Sequence, residues 1–203
     1  MTARILVLCR ANVARSPLLA ARLQLEVAAR ALDGVVEVTS AGVEATFGLP
    51  VAAGSQVVAE RWGLDLGDHQ ARPLLHADAD VQDLVLTMER AQTRRAVATV
   101  PSLEGRVFTA PELASILADR GVAAGLPDGV GVDASGVAER VRAVVALADG
   151  QRPGWWEQRR GALEVADPIQ QGQEVYDQIG ERFVELAEGI AAGLFGPRAP
   201  GQG

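Results

Sequence analysis

The architecture of the chain follows from one segment, Ile5-Leu-Val-Leu-Cys9-Arg-Ala-Asn-Val-Ala-Arg15-Ser-Pro17. Its leading apolar run is typical of a strand that is buried on both faces of a parallel sheet. Ser16 is a favoured helix N-cap residue and Pro17 suits the first helical position, so a helix is expected to begin there. The Ser16 hydroxyl could also donate a hydrogen bond to the sulfur of Cys9. The loop between strand and helix therefore lies at the carboxyl end of the first strand, where open α/β sheets bind their ligands.

Strand-like and helix-like segments alternate along the rest of the chain. The second and third strands are predicted at residues 35–38 and 83–86. Helices are predicted over residues 51–62, 89–99, 137–148 and 173–194, with a short one over 111–117. Because alternating strands and helices form parallel sheets, we predict an α/β fold with a central parallel sheet of about four strands and helices on both faces.

Apolar stripes indicate which helix faces are buried. In the first helix, Leu19, Leu23, Val27 and Ala31 recur every four residues. In the last helix the stripe consists of Val175, Ile179, Phe183, Leu186, Ile190 and Leu194. A charged ladder runs beside the first stripe at Arg22, Glu26 and Arg30, with the spacing that lets side chains on one helix pair.

The chain is expected to form one domain over residues 1–195. Residues 101–162 are predicted to be an insertion, with a glycine-rich loop at 121–136 and another loop at 149–161. The tail, residues 196–203, lacks side chains that could pack against a core and is predicted to be disordered.

Composition excludes several classes of function. The net charge is -7 in 203 residues, so nucleic acid and anionic membrane surfaces are not expected partners. Cys9 is the only cysteine, which excludes an intramolecular disulfide and fits a reducing, cytoplasmic location. The first ten residues do not form the apolar stretch of a secretory signal. No metal is expected, because the two histidines are far apart in the sequence. We also expect no cofactor.

The loop has the pattern of cysteine, five residues, arginine and serine. Backbone N–H groups of such a loop and of a helix N-terminus converge on an anion. The same environment favours a cysteine thiolate, the nucleophilic form. The planar guanidinium of Arg15 could bind two oxygens of a phosphoryl group, which a lysine cannot do. We therefore predict a phosphate-binding loop after the first strand, formed by Arg10, Ala11, Asn12, Val13, Ala14, Arg15 and Ser16.

The loop resembles the signature loop of the low-molecular-weight protein tyrosine phosphatase family. Further segments resemble that family in the same order: Ser40-Ala-Gly42, Gly63-Leu64, Asp68-His-Gln-Ala-Arg-Pro-Leu74, Asp83-Leu-Val-Leu-Thr-Met88 and Asp167-Pro168. Together these pieces cover about residues 4–100 and 163–194. The resemblance implies a metal-free phosphatase that acts on a phosphorylated protein or a small aryl phosphate.

The resemblance also implies the role of each catalytic residue. Cys9 would attack the phosphorus, Arg15 would bind the phosphoryl oxygens and Asp167 would be the general acid and base. Proline restricts the residue before it to extended conformations, which would help to aim the carboxyl group of Asp167. Asn12 is expected to shape the loop through hydrogen bonds. His69 and Arg72 are expected to brace the loop, and His76 is expected at the surface.

Departures from the family pattern concern the substrate pocket. Ala11 replaces a frequent glycine, and Ala14 stands where many members have a second cysteine. Ile169 stands where an aromatic residue usually follows the Asp-Pro pair and forms a wall of the substrate pocket. Trp155 or Trp156 could supply an aromatic wall in its place, or could instead pack the insertion onto the core. The residue at the position of Val13 touches the substrate in this family, and a threonine there accompanies activity on phosphoarginine. Val13 has no hydroxyl, so the resemblance points to phosphotyrosine. The predicted pocket residues are Val13, Ser40, Ile169 and Trp155.

Two alternatives use the same scaffold. An arsenate reductase would bind arsenate in the same loop, but only a version that uses an external thiol is compatible with one cysteine. A non-catalytic phosphate-binding module would not need Cys9, Arg15 and Asp167 together. If Asp167 is not the acid, Asp149 and Glu157 in the insertion are the next candidates.

Overall fold

The computed structural model describes residues 1–74, 79–118, 122, 136–152 and 163–198. Four parallel strands form one sheet in the order β2-β1-β3-β4. Their bounds are β1 Ala3–Cys9, β2 Val36–Gly42, β3 Leu84–Thr87 and β4 Val107–Thr109. The predicted α/β fold with a four-stranded parallel sheet is therefore confirmed, and β1 lies inside the sheet between β2 and β3.

Helices connect the strands and cover the sheet. The α-helices with defined bounds are α1 Arg15–Ala28, α2 Ala53–Arg61, α3 Arg90–Thr99, α4 Ala110–Ala118, α5 Val137–Gly150 and α6 Gln173–Phe195, and a short 3-10 helix spans Pro101–Leu103. The loop of residues 10–14 joins β1 directly to α1. No helix in the described part of the chain is both long enough and apolar enough to span a lipid bilayer.

Alternate residues of β1 belong to two separate apolar cores. Ile5 and Val7 pack in the larger core, together with the apolar faces of α1, α5 and α6. Leu6 and Leu8 pack in a smaller core with residues of α3, such as Ala96. Because successive side chains of a strand point to opposite faces, both faces of the sheet are buried under helices, as predicted.

Two details of the predicted first helix are wrong. The N-cap position belongs to Ala14 and has no side-chain cap, whereas Ser16 lies within the first turn and its hydroxyl contacts Cys9 instead. Ala31 is exposed and adopts a positive φ of 54°. The helix has already ended at Ala28, so the apolar stripe stops at Val27.

The insertion and the tail are described only in part. Helices α4 and α5 occupy the ranges predicted for them, within two residues at each end. Most of the glycine-rich loop, His76, Trp155, Trp156 and Glu157 lie outside the described residues. Within the predicted tail, Arg198 donates a hydrogen bond of 2.6 Å to Glu26 in α1, and residues 199–203 lie outside the described part.

Candidate active site

Cys9 ends β1 and is buried at the base of the loop. Its sulfur lies 3.1 Å from the Ser16 hydroxyl, and the backbone N–H of Asn12 donates to it over 3.3 Å. Within the described residues, the backbone N–H groups of Val13 and Ala14 donate to no other group of the protein. The loop therefore presents free N–H donors beside a nucleophilic sulfur, as an anion-binding loop requires.

Asn12 holds the loop in shape from inside. Its backbone has a positive φ of 56°, a conformation that asparagine tolerates better than most residues. Its side-chain amide donates to the hydroxyls of Ser16 and Ser40, each over 2.9 Å. Its side-chain oxygen accepts a hydrogen bond of 2.9 Å from the backbone N–H of Arg72.

The segment after α2 braces the loop from the outside. A ring nitrogen of His69 lies 2.7 Å from the backbone oxygen of Asn12. The Arg72 guanidinium donates to the backbone oxygen of Ser40 over 2.9 Å. The predicted bracing roles of Asn12, His69 and Arg72 are therefore seen in the geometry, and Ser40 takes part in the same network.

Gly42 lets the end of β2 approach the loop closely. A Cβ atom at this position would lie 2.7 Å from the backbone oxygen of Arg10 and 2.9 Å from the backbone nitrogen of Asn12. The next two residues donate backbone hydrogen bonds to the oxygens of Cys9 and Arg10, over 2.9 and 2.8 Å. The close approach thus fixes the second strand to the loop.

The segment of residues 43–51 frames one side of the loop. It starts with the bonds to Cys9 and Arg10, and just beyond its far end Ala52 donates to the backbone oxygen of Val13 over 2.6 Å. Phe47 and Leu49 in this segment are 73% and 43% exposed. Such large exposed apolar side chains next to a polar loop are candidates for ligand contact, and sequence reasoning did not identify them.

Arg15 is almost fully buried, with 2% of its surface exposed. One terminal nitrogen donates to Glu89 and to the backbone oxygen of Val165, the latter over 2.9 Å. The other donates to the Asp167 carboxylate over 2.8 Å. The structure therefore brings Asp167, which lies 152 residues away in sequence, to the arginine of the loop.

The segment that carries Asp167 is attached to the carboxyl end of the sheet. The backbone N–H of Val165 donates to Met88, just after β3, over 2.9 Å. The side chain of Asp167 is about one-third exposed, so solvent and substrate can reach it. Ile169, two residues later, is 36% exposed.

Tyr176 is an aromatic neighbour of the Asp167 segment. Its ring packs against Gly54, where a Cβ atom would come within 2.5 Å of the ring. Burial raises the pKa of the Tyr176 phenol, and the negative charge of Asp167 raises it further. Sequence reasoning placed no role on Tyr176, and only its position in the last apolar helix signalled that it would be buried.

Glu89 was also missed, although a signal for it exists in the sequence. It directly follows Met88 at the carboxyl end of β3, and the carboxyl ends of parallel strands meet at one edge of the sheet. Asp149, the reserve candidate for the acid, is misplaced for that role. It lines a cavity with Asp83 and Arg106, which precede β3 and β4 at the opposite edge.

The described residues contain no cluster of histidine, cysteine, aspartate or glutamate side chains that could hold a metal ion. The chemistry that these side chains can perform is nucleophilic attack by sulfur within an anion-binding loop, beside one arginine that is bonded to two carboxylates. Together the fold and the loop define a cysteine-based phosphatase.

The comparisons with known proteins identify the family. The model of the low molecular weight phosphotyrosine protein phosphatase family matches residues 4–146, more than two thirds of the chain. The chain belongs to this family. Asp167 lies beyond the matched residues, so its assignment depends on its contact with Arg15. Comparison with curated proteins gave no match.

Solved structures share the fold over nearly the whole chain. The low molecular weight protein tyrosine phosphatase from T. tengcongensis has a TM-score of 0.65 and 24% identity, over 93% of this chain and 97% of that one. Tyrosine phosphatase amsI from Erwinia amylovora has a TM-score of 0.66 and 19% identity, over 96% and 94%. YwlE arginine phosphatase from Geobacillus stearothermophilus has a TM-score of 0.64 and 24% identity, over 93% and 90%.

Proposed function

We propose that the chain hydrolyses phosphotyrosine-type phosphate monoesters through a cysteinyl-phosphate intermediate. Cys9 is the nucleophile, Arg15 binds the phosphoryl oxygens and Asp167 is the general acid and base. The observation that carries this proposal is the 2.8 Å contact between the Asp167 carboxylate and the Arg15 guanidinium. This contact brings a carboxyl group to the arginine of the loop that contains the nucleophile, which supports a role for Asp167 in proton transfer.

Arg15 keeps donors available for a phosphate. A guanidinium has five N–H groups, and three of them are engaged by Glu89, the Val165 oxygen and Asp167. Among the described residues this leaves Nε–H and one N–H of Nη2 without a protein acceptor. Both donors are therefore available to phosphoryl oxygens, to which a guanidinium makes charge-assisted hydrogen bonds.

The proposed reaction has two steps. In the first, the Cys9 thiolate forms a bond to phosphorus while the bond to the leaving oxygen breaks, and protonated Asp167 gives its proton to that oxygen. In the second, Asp167 accepts a proton from water, whose oxygen attacks phosphorus and releases Cys9 as thiolate. The Ser16 hydroxyl, 3.1 Å from the sulfur, stabilises the thiolate as it leaves.

An aryl substrate is consistent with the apolar residues of the segments that adjoin the loop. Phe47 and Leu49 belong to the segment whose ends are bonded to the loop, and Ile169 follows Asp167 by two residues. All three expose apolar surface, which an aromatic leaving group would cover in part. Val13 supports the same choice, since it has no hydroxyl to hydrogen-bond a polar leaving group. The pocket roles of Ser40 and Trp155 stay predictions. A catalytic free thiol also supports a reducing, cytoplasmic location.

The test is a turnover panel on the purified protein. Phosphate release is measured from 4-nitrophenyl phosphate and from phosphotyrosine, phosphoarginine and phosphoserine peptides, and arsenate reduction is measured with a thiol donor. We expect the highest kcat/KM for the phosphotyrosine peptide. Cys9→Ser should abolish turnover but still bind vanadate, because the hydroxyl is a far weaker nucleophile while the N–H donors remain.

The panel separates the alternatives. If phosphoarginine were the preferred substrate, the protein would still be a phosphatase, but its substrate would not be phosphotyrosine. Arsenate reduction without phosphate release would favour a reductase that uses an external thiol. Anion binding with no turnover of any substrate would favour a binding module. Substantial activity in Cys9→Ser would remove Cys9 from the mechanism.

A further inference from the structure

A cleft of about 220 Å³ adjoins the catalytic loop on the side of α3. We call it the arginine cleft, and its charged lining residues are Arg10, Glu44, Glu89 and Arg95. It shares two walls with the phosphate site, because Arg10 directly follows Cys9 and because Glu89 is bonded to Arg15. A group bound in the cleft would therefore lie beside the bound phosphate.

The two arginines of the cleft are exposed and available. In the described part of the chain neither Arg10 nor Arg95 forms an ion pair, whereas arginines elsewhere, such as Arg22 and Arg30, are bound to carboxylates. The negative charge of Glu89 is already engaged by Arg15. Two guanidinium groups thus face the cleft without a counter-charge of their own.

Glu44 is the opposing charge in this wall. It is exposed, and its backbone N–H is fixed to the oxygen of Arg10 over 2.8 Å. Because its carboxylate makes no ion pair among the described residues, it lowers the positive potential of the cleft. Removing the Glu44 charge should therefore strengthen anion binding in the cleft, whereas removing an arginine charge should weaken it.

We propose that the arginine cleft is a specificity subsite that binds an aspartate or glutamate side chain within two residues of the phosphorylated residue. Adjacent Cα atoms are only about 3.8 Å apart, so a neighbouring carboxylate reaches a cleft that begins one residue from the nucleophile. The net charge of -7 makes the chain as a whole repel acidic substrates. A local pair of arginines is what reverses that repulsion at the site. This inference rests on the phosphatase function proposed above.

The experiment compares two peptides that carry whichever phosphorylated residue the turnover panel favours. One peptide has glutamate at the two positions on each side, and the other has glutamine. We expect kcat/KM for the acidic peptide to be about three- to tenfold higher, as partly exposed charge pairs allow. Because salt screens such pairs, the preference should shrink at high ionic strength.

Arg95→Gln should bring the preference down to about one, and Glu44→Gln should increase it. Arg94→Gln is the matched control, because Arg94 is an exposed neighbour on α3 that does not line the cleft. Circular dichroism and Tm should show that all three variants are folded. An absent preference in the parent protein, or an equal loss in Arg94→Gln and Arg95→Gln, would overturn the subsite while leaving the phosphatase intact. If neither peptide nor 4-nitrophenyl phosphate were hydrolysed, both the proposed phosphatase activity and the proposed subsite would be contradicted.

Discussion

At the residue scale, Arg15 is the most constrained group of the site. Its bonds to Glu89, Val165 and Asp167 hold the guanidinium plane in one orientation and leave two N–H donors for phosphate. A lysine has a single ammonium group and cannot make these bonds and a bidentate phosphate contact at once.

Arg15→Lys should therefore lower kcat by roughly 10²–10³-fold and weaken vanadate binding, although the charge is kept. Steady-state turnover of 4-nitrophenyl phosphate and vanadate inhibition measure both effects. Arg94→Lys, at an exposed arginine of α3, is the control and should behave like the parent. A kcat near the parent value in Arg15→Lys would contradict the assigned role.

Asp167→Asn tests proton transfer at the same scale. An asparagine keeps the shape but has no acid proton, so single-turnover phosphorylation of Cys9 by a phosphotyrosine substrate should slow by roughly 10²–10⁴-fold. A nitrophenyl leaving group needs less help and should slow less. Rapid-quench measurement of both substrates gives the ratio.

Glu89→Gln is the control for that experiment. Glu89 also binds Arg15 but has no assigned role in proton transfer. Loss of its carboxylate charge should therefore slow phosphorylation of Cys9 by the same factor with both substrates. Equal slowing in Asp167→Asn would mean that Asp167 only positions Arg15. The acid would then have to be sought elsewhere, with Glu157 the candidate that remains from the sequence.

Local chemistry explains which residues could be predicted from the sequence. Cys9, Asn12 and Arg15 lie in one loop, so their spacing alone indicates a common function. Glu89 joins the site through its long-range contact with Arg15. The signal for it in the sequence is its place just after β3, and that position does not show which residue it contacts. The prediction for Asp167 came from family resemblance, and its contact with Arg15 supports that prediction.

At the element scale, strongly patterned segments were predictable, whereas the shortest strand was not. The last helix, Gln173–Phe195, has a long apolar stripe and was predicted to within one residue. Strand β4 has only three residues, Val107–Thr109, too few to show a pattern, so no segment was assigned to it. Ser16 was misplaced as a cap because its hydroxyl is needed by Cys9 and Asn12, which outweighs its usual preference.

Gly42→Ala tests how the end of β2 shapes the loop. The new Cβ would overlap backbone atoms of Arg10 and Asn12, which cannot move aside as a flexible side chain would. We expect a loss of about 1–3 kcal/mol in the free energy of unfolding and weaker vanadate binding. Urea unfolding and vanadate inhibition measure the two effects.

Gly189→Ala gives the matched control for this substitution. Gly189 lies within α6, with no atom within 4 Å of the added Cβ, so alanine should stabilise the helix by about 0.5–1 kcal/mol. If Gly42→Ala caused no loss of stability and no loss of vanadate binding, the close approach of β2 would not be what shapes the loop.

At the scale of the whole molecule, Glu26 joins three parts of the chain. It is fully buried on α1 and bonded to Arg22, Arg30 and Arg198. Burial by itself raises the pKa of Glu26, but the hydrogen bonds of Arg198 and Arg30 and the charge of Arg22 outweigh it, so the pKa lies below its ordinary value of 4.5. The ladder predicted on α1 is therefore an internal cluster that also holds the segment after α6.

Glu26→Gln should destabilise the protein in a pH-dependent way. Because the pKa of Glu26 is lower in the folded state, its contribution is complete above about pH 4.5 and is lost as the pH falls through the folded value. We expect the variant to lose roughly 3 kcal/mol at pH 7, since three arginines then face an uncharged amide, and the difference from the parent should shrink below pH 4. Urea unfolding at pH 7 and at pH 3.5 measures both effects.

Arg198→Gln is the control, because it removes only the partly exposed partner of Glu26. It should lower the free energy of unfolding by about 1 kcal/mol. A difference between parent and Glu26→Gln that stays constant from pH 7 to pH 3.5 would show that the carboxylate charge is not what stabilises this cluster.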